Sequence, residues 1–159
     1  MKTLFIVVFL LFLCLFSSTE TFAQRKAVSG AEVTGTFRSY FKGKYKGSFN
    51  EILIQALGGN KLRIEMELTY PFEVNGELSA NLGSASGEAT IYGDTAVFMP
   101  YEAASDGGQC KITLKFSRPG RLIVTTQNNI ECGFGHNVSA DGIYKKSNSA
   151  KPKFGTNQM

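Results

Sequence analysis

Few side chains in this 159-residue chain could catalyse a reaction. His136 is the single histidine and lies in the glycine-containing turn from Cys132 to Asn137. Asp141 follows five residues later, so the two could act as a general base and its orienting carboxylate. The alternative is that His136 is a polar loop residue near Cys132. This alternative is favoured because the chain has no second histidine. Catalysis needs a nucleophile, base or metal in a fixed constellation. The sequence therefore predicts no catalytic residue, and we expect a protein that is not an enzyme.

Two further sequence patterns resemble reactive sites but lack the surrounding residues that such sites need. Glu65 and Glu67 share one face of a predicted strand and could form an acid/base pair, but alternate charged positions are also typical of a solvated face. The segment 133–135, Gly-Phe-Gly, lacks the strand–loop–helix setting of a phosphate-binding loop. Its glycines are interpreted as permitting a tight turn with positive backbone angles beside Cys132.

The cysteines predict a disulfide. Cys14 lies in an N-terminal apolar run, and Leu13 before it disfavours lipoprotein cleavage, which leaves Cys110 and Cys132 as an even pair. Closing the loop between them would contribute roughly 3 kcal/mol. A metal or redox pair is disfavoured because the chain has no Cys-x-x-Cys spacing and one histidine. We therefore expect no metal and no cofactor.

Basic residues cluster near both ends of the folded part. If the first and last strands of a barrel pair, the clusters would join into one positive patch that contacts acidic envelope polymers, anionic lipid headgroups or an acidic protein. The alternative is solubilising charge. Because lysines are interspersed with glutamates along the chain rather than gathered in one long run, and the net charge is +4, no nucleic-acid partner is expected. The candidate patch consists of Arg38, Lys42, Lys44, Lys46, Lys145 and Lys146.

The N-terminus predicts export. Lys2, the apolar run 4–16 and the small residue Ala23 are typical of a secretory signal peptide at 1–23. We expect a periplasmic or extracellular protein without a membrane span, with one domain at 24–146 and a flexible tail at 147–159. Asn137 begins a glycosylation sequon, which applies only in a eukaryotic host.

The fold class follows from alternating apolar and polar residues. Such alternation is typical of strands with one buried face. Short links between consecutive strands favour an antiparallel up-and-down barrel, with a β-sandwich as the alternative. We predict eight strands, at 33–41, 49–57, 61–68, 84–92, 95–99, 110–116, 121–126 and 137–144, with a break at 70–72.

Two motifs carry a resemblance. Gly35-Thr36-Phe37 resembles the Gly-x-Trp opening of lipocalins with Phe in place of Trp, and no arginine partner for it lies on the predicted last strand. The segment 87–144, with Cys132-Gly-Phe-Gly and Gly142-x-Tyr144, is similar to small exported bacterial proteins with lipocalin-like (calycin-like) barrels and no assigned function. The resemblance implies the barrel fold and the exported location rather than an activity.

Two binding functions compete. The first is a small apolar ligand held inside the barrel, where small residues at interior positions would leave volume. The second is recognition through the surface, either of an anionic envelope partner or as a protein–protein or inhibitor module. An interior cavity of a few hundred Å³ would favour the first, and a filled core would favour the second. The small interior residues are Ala85, Gly87, Ala89 and Ala96.

Overall fold

Eight antiparallel strands close into an up-and-down barrel in the computed structural model, which describes residues 27–100 and 110–155. Each strand pairs with the next, and β8 pairs with β1, so the predicted barrel is confirmed and the sandwich alternative is wrong. The predicted signal peptide, 1–23, lies outside the described residues. The strands are β1 (Gly35–Tyr40), β2 (Phe49–Gly58), β3 (Lys61–Val74), β4 (Glu77–Tyr92), β5 (Thr95–Phe98), β6 (Lys111–Ser117), β7 (Arg121–Gln127) and β8 (Gly142–Asn148).

Side-chain alternation builds the core. Along β3, Leu62, Ile64, Met66 and Leu68 are buried and the residues between them face solvent. Successive strand residues point to opposite faces, so each strand contributes one apolar row to the interior. The rows form one continuous apolar cluster inside the barrel.

The barrel closes where β1 meets β8. Thr36 pairs with Asn148 and Phe37 with Lys146, and the register shifts between Thr36 and Phe37. Gly35 has φ 144°, and a Cβ atom there would lie 2.3 Å from the carbonyl oxygen of Asn148. A glycine is therefore required at this closure.

One barrel end, which we call the base, carries a short helix α1 (Gly30–Val33) together with the β2–β3, β4–β5 and β6–β7 turns. Ser29 and Glu32 form a capping box, in which each side chain accepts from the other residue's backbone N–H. Val33 is buried, and the backbone N–H of Val28 donates to the carbonyl oxygen of Gly93. The capped turn is thereby fixed against the base. We call the opposite end the mouth.

The predicted break at 70–72 is wrong, because β3 and β4 continue as a paired ribbon to Val74 and Glu77. The β2–β3 ladder ends at Glu51 and Glu67, so Pro71 lies where β3 has no β2 partner. Proline lacks an N–H and is tolerated at such an edge.

The last strand begins later than predicted, at Gly142 rather than residue 137. Val138 and Ala140 are buried, but they belong to the β7–β8 connection, which contacts β4 at Gly83. Alternating burial there comes from loop packing and not from a strand ladder. A 3-10 helix, Asn129–Cys132, begins this connection.

The predicted disulfide is confirmed. Cys110, directly before β6, is bonded to Cys132 with a Cα–Cα distance of 4.7 Å. Both residues are buried at the mouth side of the core. The bond ties the β7–β8 connection to the start of β6.

The C-terminal segment begins two residues later than predicted, since Ser147 and Asn148 are in β8. Beyond the strand, the guanidinium carbon of Arg63 lies 4.4 Å from the ring centroid of Phe154. The backbone N–H of Gly155 donates to Glu65 at 3.3 Å. These contacts place residues 154–155 against the outer face of β3, and the predicted mobility of the tail stays a prediction.

Candidate functional site

Hydrogen bonds at His136 and at its candidate partner Asp141 fix the backbone around them. The amide of Asn81 donates to the carbonyl oxygen of His136 at 2.7 Å. A carboxylate oxygen of Asp141 accepts the backbone N–H of Thr126 at 2.5 Å. These hydrogen bonds hold the β7–β8 connection to β4 and β7.

The glycines of the 133–135 segment have two different roles. Gly133 has φ 70° and permits the turn after the 3-10 helix, as the sequence predicts. Gly135 does not have positive φ; a Cβ atom there would lie 2.4 Å from the carbonyl oxygen of Leu82. Its role is close approach to β4, which corrects the interpretation of both glycines as turn residues.

Three cations lie side by side on the outer surface where the barrel closes. Arg38 on β1 is the register partner of Lys145 on β8, and Lys145 is the partner of Arg121 on β7. Neighbouring strands lie about 4.8 Å apart, so the three backbone positions span about 10 Å. We call Arg38, Lys145 and Arg121 the cation row.

The members of the cation row differ in their neighbours. Arg38 forms an ion pair with Glu51, which raises the pKa of the Arg38 guanidinium, and it also stacks on the ring of Phe49 at 4.4 Å. Lys145 and Arg121 are exposed and form no ion pair with any described residue. The positive field of the row therefore comes mainly from these two residues.

The three lysines after β1 form a separate group at the mouth. Lys42 is four residues beyond Arg38, or about 13 Å along an extended chain. Lys44 lies 2.8 Å from Glu73 of the β3–β4 ribbon, and this carboxylate raises the pKa of the ammonium. Lys42 and Lys46 are exposed. The predicted patch is thus divided between the mouth and the β1–β8 seam.

Lys146, the sixth predicted patch residue, points to the base of the barrel. Its ammonium donates to the carbonyl oxygens of Ala31, Glu32 and Thr34 at 3.0, 2.7 and 2.8 Å. It lies 5.3 Å from the ring centroid of Phe37. Burial lowers the pKa of Lys146. Its side chain therefore ties α1 to β8 rather than extending the outer patch.

A half-open cavity of about 260 Å³, which we call the basal pocket, lies between α1 and the β6–β7 turn. Its floor contains the rings of Phe37 and Phe116, which meet edge to face with centroids 6.1 Å apart. The lining residues are Val28, Ala31, Glu32, Phe37, Phe116, Ser117, Arg118, Gly120, Arg121 and Lys146. An apolar floor and a charged rim therefore meet in one cavity.

An ion pair forms one wall of the basal pocket. Arg118 donates to both carboxylate oxygens of Glu32, with its Nη2 atom 2.8 Å from Oε2. The guanidinium, together with the backbone N–H of Ser29, holds the pKa of Glu32 well below its ordinary range. The pair links α1 to the β6–β7 turn, and within the described chain Arg121 and Lys146 remain as rim cations without an ion pair.

The sequence predicts Lys146 as a basic surface residue, but it predicts neither this pocket nor the meeting of Glu32, Arg118 and Arg121 at its rim. A signal was present for α1, since Ser29-x-x-Glu32 matches a capping box. Arg118 and Arg121 flank the Pro119-Gly120 turn, but nothing local indicates that this turn approaches α1.

The small interior residues of β4 lie beside large residues of β3. Ala85 pairs with Met66, Gly87 with Ile64 and Ala89 with Leu62. Large side chains therefore adjoin the volume that the small residues leave, which is how close-packed interiors are filled. The register thus favours a packed core at these positions.

Taken together, fold and site define a small disulfide-linked β-barrel with a cationic outer seam and a mixed apolar and charged pocket at its base. Within residues 27–100 and 110–155, no three His, Cys, Asp or Glu side chains are grouped to hold a metal ion. The described helices are all too short to cross a membrane. Among known proteins, no family model, no curated sequence and no solved structure matches this chain.

Proposed function

We propose that this protein is an exported, non-catalytic binding protein that recognises an anionic partner through the cation row. The observation that carries the proposal is the register of β1, β8 and β7, which sets Arg38, Lys145 and Arg121 beside one another. Long-range pairing, and not sequence proximity, creates this concentration of charge.

The surroundings of the row suit recognition of a surface. Tyr40 is 58% exposed and Ile143 is 48% exposed, and both lie on the outer face next to the row. Cations close to exposed apolar groups combine electrostatic attraction with burial of apolar area. An anionic envelope polymer or a layer of anionic headgroups would offer the complementary charge.

The exported location is part of the proposal. The disulfide between Cys110 and Cys132 is compatible with an oxidising compartment, and the sequence of residues 1–23 is typical of a signal peptide. We place the protein in the periplasm or outside the cell, where anionic envelope components are available.

We also propose that the protein is related to lipocalin-like exported barrels. In its support, Gly35 permits the closure of the up-and-down barrel, and Lys146 on the last strand lies over the ring of Phe37. The cation beside the Gly-x-Phe motif is therefore a lysine and not an arginine. This relation concerns the fold only. The binding partner is inferred from the charges on the surface.

A protein–protein or inhibitor module is the second candidate. The β3–β4 ribbon carries Leu78 and Leu82, which are 64% and 70% exposed. Both are on the outward-facing side of β4, two register positions on either side of Ala80. Exposed apolar residues grouped in this way are typical of interaction surfaces.

We test the proposal by measuring how tightly the protein binds dextran sulfate, a model polyanion. The double variant Lys145→Gln/Arg121→Gln should bind about tenfold more weakly at low salt, because two exposed charge contacts are each worth up to about 1 kcal/mol. Its binding should also depend less on salt, since exposed charges act through a screened field. The fold should be unchanged.

Two controls decide where recognition occurs. Lys61→Gln/Lys111→Gln removes the same charge from exposed positions outside the row and should bind almost as wild type. Equal weakening in this control would mean that only net charge matters, and the proposal would fail. Lys42→Gln/Lys46→Gln removes the two mouth lysines that form no ion pair with a described residue; if this variant alone lost binding, the recognition surface would lie at the mouth.

A further inference from the structure

We propose that the basal pocket binds a small amphipathic anion, a molecule with one anionic group and an apolar part no larger than one fused ring system or a medium-length alkyl chain. The pocket shares Arg121 with the cation row, but it lies at the base between α1 and the β6–β7 turn and accepts a small molecule rather than an extended surface. It would make the protein a small-molecule binder in addition to a surface-recognition protein.

The apolar part of the ligand follows from the floor of the pocket. Phe37 and Phe116 are almost fully buried, at 0% and 5% exposure, yet both line the cavity. Val28 and Ala31 form the α1 side of the wall. A dry cavity of roughly 150 Å³ is enough for benzene, so a volume of about 260 Å³ accepts a somewhat larger apolar group.

The anionic part of the ligand follows from the different partners of the three cationic side chains at the rim. Arg118 is neutralised by Glu32. Lys146 uses all three of its N–H donors on backbone carbonyl oxygens, so it contributes positive potential but no free donor. Arg121 is exposed and has no carboxylate partner among the described residues. The guanidinium of Arg121 is therefore the group that would receive an anionic headgroup, with Lys146 behind it.

The same arrangement selects against other ligands. A cationic amphiphile would meet two positive side chains at the rim, and like charges brought close together repel. A polyanion could reach Arg121 but could not place its charged units on the phenyl floor, because desolvating a charge against apolar groups is costly. A single terminal charge, such as a carboxylate, fits both halves of the pocket.

Displacement of the fluorescent anion 5-dimethylaminonaphthalene-1-sulfonate, which has one fused ring system, tests the site, with decanoate as the competitor and 1-decanol as its uncharged match. Wild type should bind the dye, and decanoate should displace it at lower concentration than decanol does. Arg121→Gln should weaken decanoate about tenfold and leave decanol unchanged, because it removes a charge-assisted hydrogen bond. Ala31→Phe fills the pocket from an exposed helix position and should weaken both competitors.

Two measurements keep the outcome unambiguous. Circular dichroism and thermal melting check that Ala31→Phe folds, and Val28→Trp provides a second way to fill the cavity. Lys145→Gln removes a charge of the cation row that does not line the pocket, so it should leave decanoate binding unchanged. Undiminished decanoate binding in Arg121→Gln and in both filling variants would overturn the proposal. Equal losses in Lys145→Gln and Arg121→Gln would also overturn it, since the anion would then sit on the outer row.

Discussion

The ammonium of Lys146 lies 5.3 Å from the ring centroid of Phe37, across the register pair that closes β1 onto β8. The same ammonium donates to three carbonyl oxygens in and after α1. One side chain thus joins the first strand, the last strand and the helix at the base. The barrel closure and the wall of the basal pocket depend on the same residue.

Replacing this lysine should be costly. Lys146→Met keeps the apolar stem and removes three donors to carbonyl oxygens, so we expect a loss of about 2 kcal/mol in the free energy of unfolding. Urea denaturation monitored by circular dichroism measures it. Lys145→Met, at the exposed neighbouring position, is the control and should change stability by less than about 0.5 kcal/mol. Equal effects of the two substitutions would contradict this role for Lys146.

The Glu32–Arg118 ion pair predicts a pH dependence. Because the pKa of Glu32 in the folded protein lies well below its ordinary value of 4.5, the carboxylate stabilises the fold above that pH. This stabilisation is lost as the pH falls, since the unfolded chain takes up the proton first. Glu32→Gln should therefore lose less stability than wild type between about pH 5 and pH 3. Glu77→Gln, at the exposed end of the β3–β4 ribbon, should follow the wild-type curve; parallel curves for all three proteins would argue against the ion pair.

Removing the disulfide should destabilise the fold. The sequence separation of Cys110 and Cys132 is 22 residues, and a loop of this size gives roughly 3 kcal/mol in the chain-entropy description. Cys110→Ala/Cys132→Ala should lose about that amount in urea denaturation. Wild type treated with a reductant is the matched comparison and should show a similar loss. A midpoint unchanged by either treatment would show that the bond adds nothing to stability.

The close approach of the β7–β8 connection to β4 makes Gly135 sensitive. A Cβ atom 2.4 Å from the carbonyl oxygen of Leu82 must displace the loop or the strand. Gly135→Ala should therefore cost about 2 kcal/mol, as overpacking does. Gly30→Ala, where the new atom meets only the Ala56 side chain at 3.4 Å, should be neutral or slightly stabilising. Thermal melting compares the two variants with wild type. A wild-type melting midpoint for Gly135→Ala would mean that the loop moves aside without loss of stability.

The C-terminal segment should contribute little. Deleting residues 150–159 removes the contact between Phe154 and Arg63, and an exposed cation–π contact is worth about 0.5–1 kcal/mol. Phe154→Ala should reproduce most of this small loss in thermal melting. A deletion that costs much more than Phe154→Ala would show that the segment has further stabilising contacts with the barrel.

The fold class could be predicted because its signal is local. Leu62, Ile64, Met66 and Leu68 alternate with charged residues, and this period of two is imposed by strand geometry wherever one face is buried. The disulfide could be predicted for a different reason, the number of cysteines, since two cysteines remain after the N-terminal apolar run. The start of the last strand was predicted too early, because Val138 and Ala140 are buried at alternate positions although they belong to a loop.

The site depended on relationships that no local pattern contains. Lys145 and Lys146 are neighbours in the sequence, yet one lies in the outer row and the other on the base, because adjacent strand residues point to opposite faces. Which lysine faces outward depends on where β8 begins and on the register shift opposite Thr36 and Phe37. The basal pocket likewise exists because barrel closure brings Glu32 to Arg118, 86 residues away. The sequence by itself determined that each strand buries one face; only the tertiary structure decided which charges meet, because strand register is set by pairing between distant segments.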